Sequence, residues 1–196
     1  MAEPEAPAQK SSNRPFFIAF VLGALVLTGL PFLQERFLKA PPPILTLTPW
    51  STTAADISSV ALSGKVVLLQ VEVAPCDADC TKRVTEFGNI VNHVNDLGDK
   101  VVLVTLADAQ TLGALEQRKG ASAAWRFAEL DSALLTQLQV GLVKFLGADS
   151  TDFARSHSVV LIDQNGAVRG YWQDGTAGRG NAINAARLLA KKGPIP

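Results

Sequence analysis

From residue 44 to the end of the chain, two hydrophobic patterns alternate. Short continuous apolar runs, typical of buried strands, are followed by stretches in which apolar residues recur every three or four positions, as on one face of a helix. Strands are predicted at Val66 to Val73, Val101 to Leu106, Ser158 to Ile162 and Ala167 to Trp172. Helices are predicted from behind Pro75 to Leu97, around Thr111 to Arg118, from Asp131 to Phe145 and from Asn181 to Lys191.

The connections between these elements predict how the strands pair. A helix joins the first two strands, and such a crossover is typical of parallel neighbours. Asn165-Gly166 favours a tight antiparallel hairpin, because both residue types accept positive φ angles. The predicted fold is therefore α/β, with a thioredoxin-like central mixed sheet flanked by helices and preceded by one N-terminal transmembrane helix.

That transmembrane helix is predicted from a longer apolar segment. Phe16 to Leu33 contains eighteen residues without a charge, which is close to the ~20 that span a bilayer core. A cleaved signal peptide is the alternative, but its apolar region is usually about 7–15 residues long and precedes a pair of small residues. The segment favours a single uncleaved membrane anchor with the soluble domain on the outer side.

These features divide the chain into five parts. Residues 1–15 form a short cytoplasmic tail, 16–33 the transmembrane anchor, 34–43 a Pro-rich linker, 44–192 the thioredoxin-like domain and 193–196 an exposed tail. Consecutive prolines in the linker favour an extended polyproline II spacer.

Charge and composition exclude several functions. The chain has 18 basic and 18 acidic residues and a formal net charge of zero, so it lacks the basic surface that nucleic acid requires. Two cysteines cannot form a disulfide scaffold, and two histidines limit the number of metal sites. Any chemistry must use few reactive side chains.

Cys76 and Cys80 lie where the first central strand meets its helix, a place where open α/β sheets bind ligands. Their Cβ atoms would be about 5–6 Å apart on one face of a regular helix, farther than the ~3.5–4.5 Å of a relaxed disulfide. The spacing therefore tolerates a disulfide but suits a shared metal better. Two cysteines packed as small hydrophobic residues are the alternative. The helix N-terminus favours thiolate at this position, whereas Asp77 and Asp79 oppose it as like charges.

The two histidines differ as candidate ligands. His93 follows Cys80 by more than three helical turns, roughly 20 Å, which favours a helix-surface role. His157 directly precedes the strand at Ser158, where a loop can reach over the cysteines; a strand-edge histidine with a local hydrogen bond is the alternative. Two thiolates and one imidazole form a soft set that favours Cu(I) and also tolerates Cu(II), whereas zinc would prefer a fourth ligand.

The strand–Cys-x-x-x-Cys–helix unit, the N-terminal anchor and the run from His157 to Gly166 together resemble the Sco/SenC copper proteins of cytochrome c oxidase assembly. The likeness covers most of Ser63 to Arg187, and the helix Asp131 to Leu146 is similar to that family's middle insertion. It implies copper ligands at Cys76, Cys80 and His157, and a partner in the copper-centre subunit of cytochrome c oxidase or another copper or thiol protein. It also implies a bacterial plasma-membrane protein with its domain on the periplasmic side.

Around the cysteines the chain departs from that family. Asp77 replaces the usual proline, Asp108 alone matches the acidic stretch after the second strand, and Glu72-Val73-Ala74 replaces an aromatic run. The expected function is a membrane-anchored copper chaperone rather than an enzyme with turnover. A thiol–disulfide oxidoreductase using Cys76 and Cys80 is the main alternative, although such enzymes generally have Cys-x-x-Cys; a non-catalytic interaction domain is the third.

Overall fold

The computed structural model describes residues 40–72, 78–116, 124–146, 158–173 and 175–194, and residues 40–196 form one compact unit. The predicted tail and anchor, residues 1–33, lie outside the described ranges, as does most of the linker. Within those ranges, none of the helices combines the length and the apolar character needed to cross a membrane.

The described residues contain six strands and five α-helices. In chain order they are β1 (Leu45–Thr46), β2 (Val66–Glu72), α1 (Ala78–Gly88), α2 (Ile90–Val94), β3 (Val101–Ala107), α3 (Ala109–Glu116), β4 (Trp125–Glu129), α4 (Ser132–Leu146), β5 (Val159–Ile162), β6 (Ala167–Trp172) and α5 (Thr176–Lys192). A 3-10 segment, Asn95–Lys100, joins α2 to β3.

All six strands form one mixed sheet with the order β1-β6-β5-β2-β3-β4. β2, β3 and β4 are parallel, whereas β5 runs antiparallel to β2 and β6 antiparallel to β5. This arrangement confirms the predicted mixed sheet and its C-terminal hairpin. β1 and β4 are additions at the two edges that the hydrophobic pattern did not predict.

The central strands are apolar because both of their faces are covered. Every residue of β2 and β3 is buried. On one face, Val67, Leu69 and Val71 pack under α4 and the segment that contains Trp50 and Leu62. On the other face, Val66 and Leu68 pack under α1, α2 and α5. Continuous apolar runs are typical of strands in such a three-layer arrangement.

Two predicted helices differ from the observed ones in their bounds. The helix predicted from behind Pro75 to Leu97 is divided at Asn89 into α1 and α2, and its last turn becomes the 3-10 segment, in which Gly98 has a φ of 60°. The last helix was predicted to begin at Asn181, but α5 begins at Thr176. Gly178 and Gly180 in its first turns obscured that start, because glycine weakens a helical pattern.

The first described residues are attached to the edge of the sheet. Arg169, on β6, makes a 2.6 Å ion pair with Asp163 and donates a hydrogen bond from Nη1 to the Pro41 carbonyl at 3.1 Å. Ile44 N donates to Val168 O at 2.7 Å, and Ala40 packs against the α5 side of the core. Ala40 and Pro41, which the sequence analysis assigns to the linker, therefore contact the domain, whereas Pro42 and Pro43 are exposed.

Candidate functional site

The segments that carry the candidate ligands lie at one end of the strands, which we call the cysteine edge of the sheet. The carboxyl ends of the parallel strands lie side by side there, since Glu72 pairs with Ala107 and Ala107 with Glu129. β5 begins at the same edge and β6 ends there, because Gln70 pairs with Val159 and Val159 with Trp172. The edge beyond the carboxyl ends of parallel strands is where ligands bind in open α/β sheets.

Cys80 lies in the first turn of α1, directly after this edge. It is 1% exposed and packs with Val84, Ala107, Leu115 and Phe127. Cys80 is disulfide-bonded, and the chain contains one other cysteine, Cys76. Cys76 itself lies outside the described residues, in the segment 73–77.

His157 also lies outside the described residues, but the strand that follows it is described. Ser158 is 3% exposed, and its Oγ donates a 2.6 Å hydrogen bond to the Tyr171 hydroxyl on β6. Glu72, the last described residue before segment 73–77, and Ser158, the first after segment 147–157, thus lie at the same edge, at the ends of two neighbouring strands. Segment 73–77 therefore starts at that edge and segment 147–157 ends at it.

The remaining candidates from the sequence have other surroundings. Asp79 is exposed on α1, and Asp77 lies outside the described residues. His93 is exposed on α2, where its backbone carbonyl accepts a hydrogen bond from Arg187. It lines a groove of about 460 Å³ between α2 and α5. Among the described residues, no group of three or more His, Cys, Asp or Glu side chains could hold a metal ion.

Asp108 and Asp131 cap helices at the candidate edge. Asp108 accepts hydrogen bonds from Thr111 N and Thr111 Oγ1, both at 3.0 Å, at the start of α3. Asp131 Oδ1 accepts from Ala133 N at 2.7 Å and Leu134 N at 2.9 Å at the start of α4. Such bonds satisfy the otherwise unpaired amides of a helix N-terminus.

A polar cluster at the end of β2, near Cys80, was missed by the sequence analysis. Gln70 Nε2 donates to Glu72 Oε1 at 2.9 Å, and Arg83 Nη2, on α1, lies 3.4 Å from Glu72 Oε2. Gln70 and Glu72 are each 1% exposed. The sequence does contain a signal for this cluster. Gln70 and Glu72 are the only polar residues of β2, whose apolar pattern is typical of a strand buried on both faces.

The sequence matches no protein-family model and no curated protein, but the fold is similar to several solved structures. BsSco, a member of the Sco family of cytochrome c oxidase assembly proteins in which a disulfide switch was identified, superposes with a TM-score of 0.57 at 15% identity, covering 79% of this chain and 98% of that one. Bradyrhizobium japonicum ScoI with copper bound gives a TM-score of 0.50 at 13% identity, covering 74% and 99%.

A thiol:disulfide interchange protein of the thioredoxin family from Chlorobium tepidum TLS gives a TM-score of 0.52 at 14% identity, covering 78% of this chain and 99% of that one. These likenesses confirm the thioredoxin-like fold. They include proteins of the Sco family that the sequence resembles, as well as proteins of thiol–disulfide exchange.

Proposed function

We propose that this protein is a membrane-anchored copper chaperone whose copper ligands are Cys76, Cys80 and His157. The observation that carries the proposal is the adjacency of the two strand ends, Glu72 and Ser158, at the edge where α1 begins and Cys80 lies in its first turn. The similarity in fold to a copper-bound Sco protein supports it. The copper is cargo, received from one protein and passed to another.

The surroundings of Cys80 fit a copper(I) ligand. Thiolate sulfur is a soft donor that favours Cu(I), and the apolar side chains around Cys80 exclude water from one side of the thiol. Reduction must precede copper binding because Cys80 is disulfide-bonded. A dithiol reductant supplies the two electrons and two protons, the S–S bond breaks, and the reductant becomes a disulfide.

The acceptor in this proposal is the copper-centre subunit of cytochrome c oxidase or another copper or thiol protein of the periplasm. A cysteine or histidine of the acceptor would enter the open position of a three-ligand site, so that transfer proceeds by ligand exchange. The anchor at Phe16 to Leu33 would confine the donor to the membrane surface and raise its effective concentration there.

Anaerobic Cu(I) titration of the reduced full-length chain in detergent tests the ligand set. We expect one copper per chain, loss of binding in Cys76→Ala and Cys80→Ala, and weaker binding in His157→Ala. His93→Ala is the matched control and should bind as the parent does. Unchanged affinity in the Cys76 and His157 variants would refute the proposal.

A reporter enzyme fused after Pro196 tests the location. We expect activity from a reporter that works in the periplasm, because the single anchor would place the C-terminal domain there. A fusion that is active only in the cytoplasm contradicts this orientation.

A thiol–disulfide oxidoreductase is the second candidate, and the disulfide at Cys80 favours it. The fold similarity to a thiol:disulfide interchange protein also supports it. Catalytic turnover of a model disulfide that survives His157→Ala and needs no copper would select this candidate over the chaperone.

A further inference from the structure

The buried cluster of Gln70, Glu72 and Arg83 connects the two sides of the cysteine-bearing segment. Gln70 and Glu72 are two apart on β2 and therefore point to the same face of the sheet, the face that α1 covers. Arg83 reaches Glu72 from α1, and its side chain is 18% exposed while that of Glu72 is 1% exposed. The strand before residues 73–77 and the helix after them are thus joined by an ion pair.

This cluster is costly for the fold. Gln70 Oε1 and Arg83 Nε are buried without a hydrogen-bond partner among the described residues, and a buried polar atom without a partner costs roughly 1–3 kcal/mol. Buried ion pairs are weak evidence for stability, because desolvation offsets much of their attraction. The other five residues of β2 are apolar, so the cost falls only at the cysteine end of the strand.

The position of the ion pair relates it to the cysteines. Glu72 is the last residue before the segment 73–77. Arg83 follows Cys80 by three residues, so Cys80 and Arg83 lie on one side of α1. Cys80 packs against Ala107, and Ala107 is the partner of Glu72 in the sheet. The carboxylate and the buried cysteine therefore share Ala107 as a neighbour, and the carboxylate is paired with Arg83 on the helix that carries Cys80.

We propose that the Glu72–Arg83 ion pair is a clamp that fixes α1 against the end of β2 and thereby sets the reduction potential of the Cys76/Cys80 pair. This inference rests on the proposed function, in which these cysteines are the reactive pair. Glu72 and Arg83 are positioning residues, because they act through the placement of Cys80.

The physical basis is the effective concentration of the two thiols. Two thiols close to a disulfide without rearrangement only where their Cβ atoms are held about 3.5–4.5 Å apart. A clamp across residues 73–77 reduces the number of arrangements that the reduced pair can adopt and so favours the disulfide. Without the clamp the disulfide is easier to reduce, and the reduction potential becomes more positive.

Redox equilibration of the full-length chain in detergent, without copper, against dithiothreitol mixtures of known composition tests the clamp. We expect Glu72→Gln and Arg83→Met each to change the equilibrium constant about tenfold, a shift of about 30 mV toward more positive potential. In the double variant the shift should equal that of either single variant, since both remove the same interaction. Additive shifts would show that the residues act independently and would overturn the clamp.

Measuring the unfolding free energy of each variant beside its reduction potential distinguishes this positioning role from a purely structural one. By linkage, a residue that supports the fold equally in both redox states lowers the unfolding free energy of oxidised and reduced protein by the same amount and leaves the potential unchanged. An unchanged potential in Glu72→Gln, despite lower stability, would therefore overturn the proposal. Arg83→Lys keeps the charge but loses the planar fork, and it should give an intermediate shift even where Glu72→Gln fails to fold.

Asp96→Asn is the matched control. It removes an ion pair with Arg187 of 2.7 Å that joins the 3-10 segment to α5 and does not cross the cysteine segment. Its reduction potential should equal that of the parent. Because the measurement contains no copper, its failure is distinguishable from a failure of copper binding.

Discussion

At the scale of single residues, close packing against the Trp125 ring explains why residue 88 is a glycine, which the sequence pattern does not explain. A Cβ atom on Gly88, at the end of α1, would overlap the ring of Trp125. That ring is held by a 3.0 Å hydrogen bond from Nε1 to Thr105 Oγ1 and by Phe127, whose ring centroid is 4.6 Å away. The indole therefore has little freedom to move aside.

We expect Gly88→Ala to lower the free energy of unfolding by about 1–3 kcal/mol, the usual cost of overpacking. Gly113→Ala is the matched control, because Gly113 is also in a helix and a Cβ there meets nothing within 4 Å. It should raise stability by up to about 1 kcal/mol, since alanine is the better helix former. Urea unfolding of both variants measures the difference, and equal effects would contradict the packing argument.

The residues of the candidate site could be predicted only in part. Cys76, Cys80 and His157 were identified from residue type and spacing, and they remain predictions because two of them lie outside the described residues. The contact between Glu72 and Arg83 could not be derived from spacing alone. It depends on how α1 lies over β2, and that is decided by apolar packing of residues such as Phe87.

At the scale of elements, helix starts depend on side chains that bond to the backbone. Asp108 resembles an acid of the Sco/SenC pattern, but in the structure its carboxylate bonds Thr111 at the start of α3. We expect Asp108→Ala to lower the free energy of unfolding by about 1 kcal/mol, and Asp108→Ser to retain most of the stability, since serine also caps helices.

Copper titration of the same two variants separates capping from participation in the site. If Asp108 only caps α3, Asp108→Ser binds Cu(I) with the affinity of the parent. A large loss of affinity in Asp108→Ser with unchanged stability would instead assign Asp108 a role at the copper site.

The strands differed in how well they could be predicted. β2 and β3 were predicted well because both faces are buried and their apolar runs are continuous. β4 has exposed and partly exposed residues, including Arg126 and Glu129, and β1 has two residues. Neither edge strand carries a pattern long enough to distinguish it from a loop.

At the scale of the whole molecule, the parallel pair β2–β3 and the antiparallel hairpin β5–β6 were predicted from the crossover helix and the Asn-Gly turn. The contacts that the chain makes before residue 44 were not. The proline-rich sequence favours an extended spacer up to residue 43. The structure places Ala40 against the core and gives Pro41 O a buried partner in Arg169. The reason is a long-range hydrogen bond between positions 128 residues apart, which no local pattern reveals.

Two soluble fragments, 40–196 and 44–196, test where the domain starts. The shorter one leaves Arg169 Nη1 without its carbonyl acceptor and removes Ala40 from the core. We expect the free energy of unfolding to fall by about 1–3 kcal/mol, the cost of an unsatisfied buried donor. Chemical denaturation compares the fragments, and equal midpoints would show that residues 40–43 contribute nothing.

The direction of β1 has a mechanical consequence. β1 runs antiparallel to β6, and β6 ends at the cysteine edge of the sheet. The chain from Ala40 to Thr46 therefore leads away from that edge. Ladder hydrogen bonds lie perpendicular to the strands. A pull on residue 40 along β6 would therefore strain the bonds Ile44 N–Val168 O and Leu47 N–Gly166 O together, in shear, rather than unzip them one after the other.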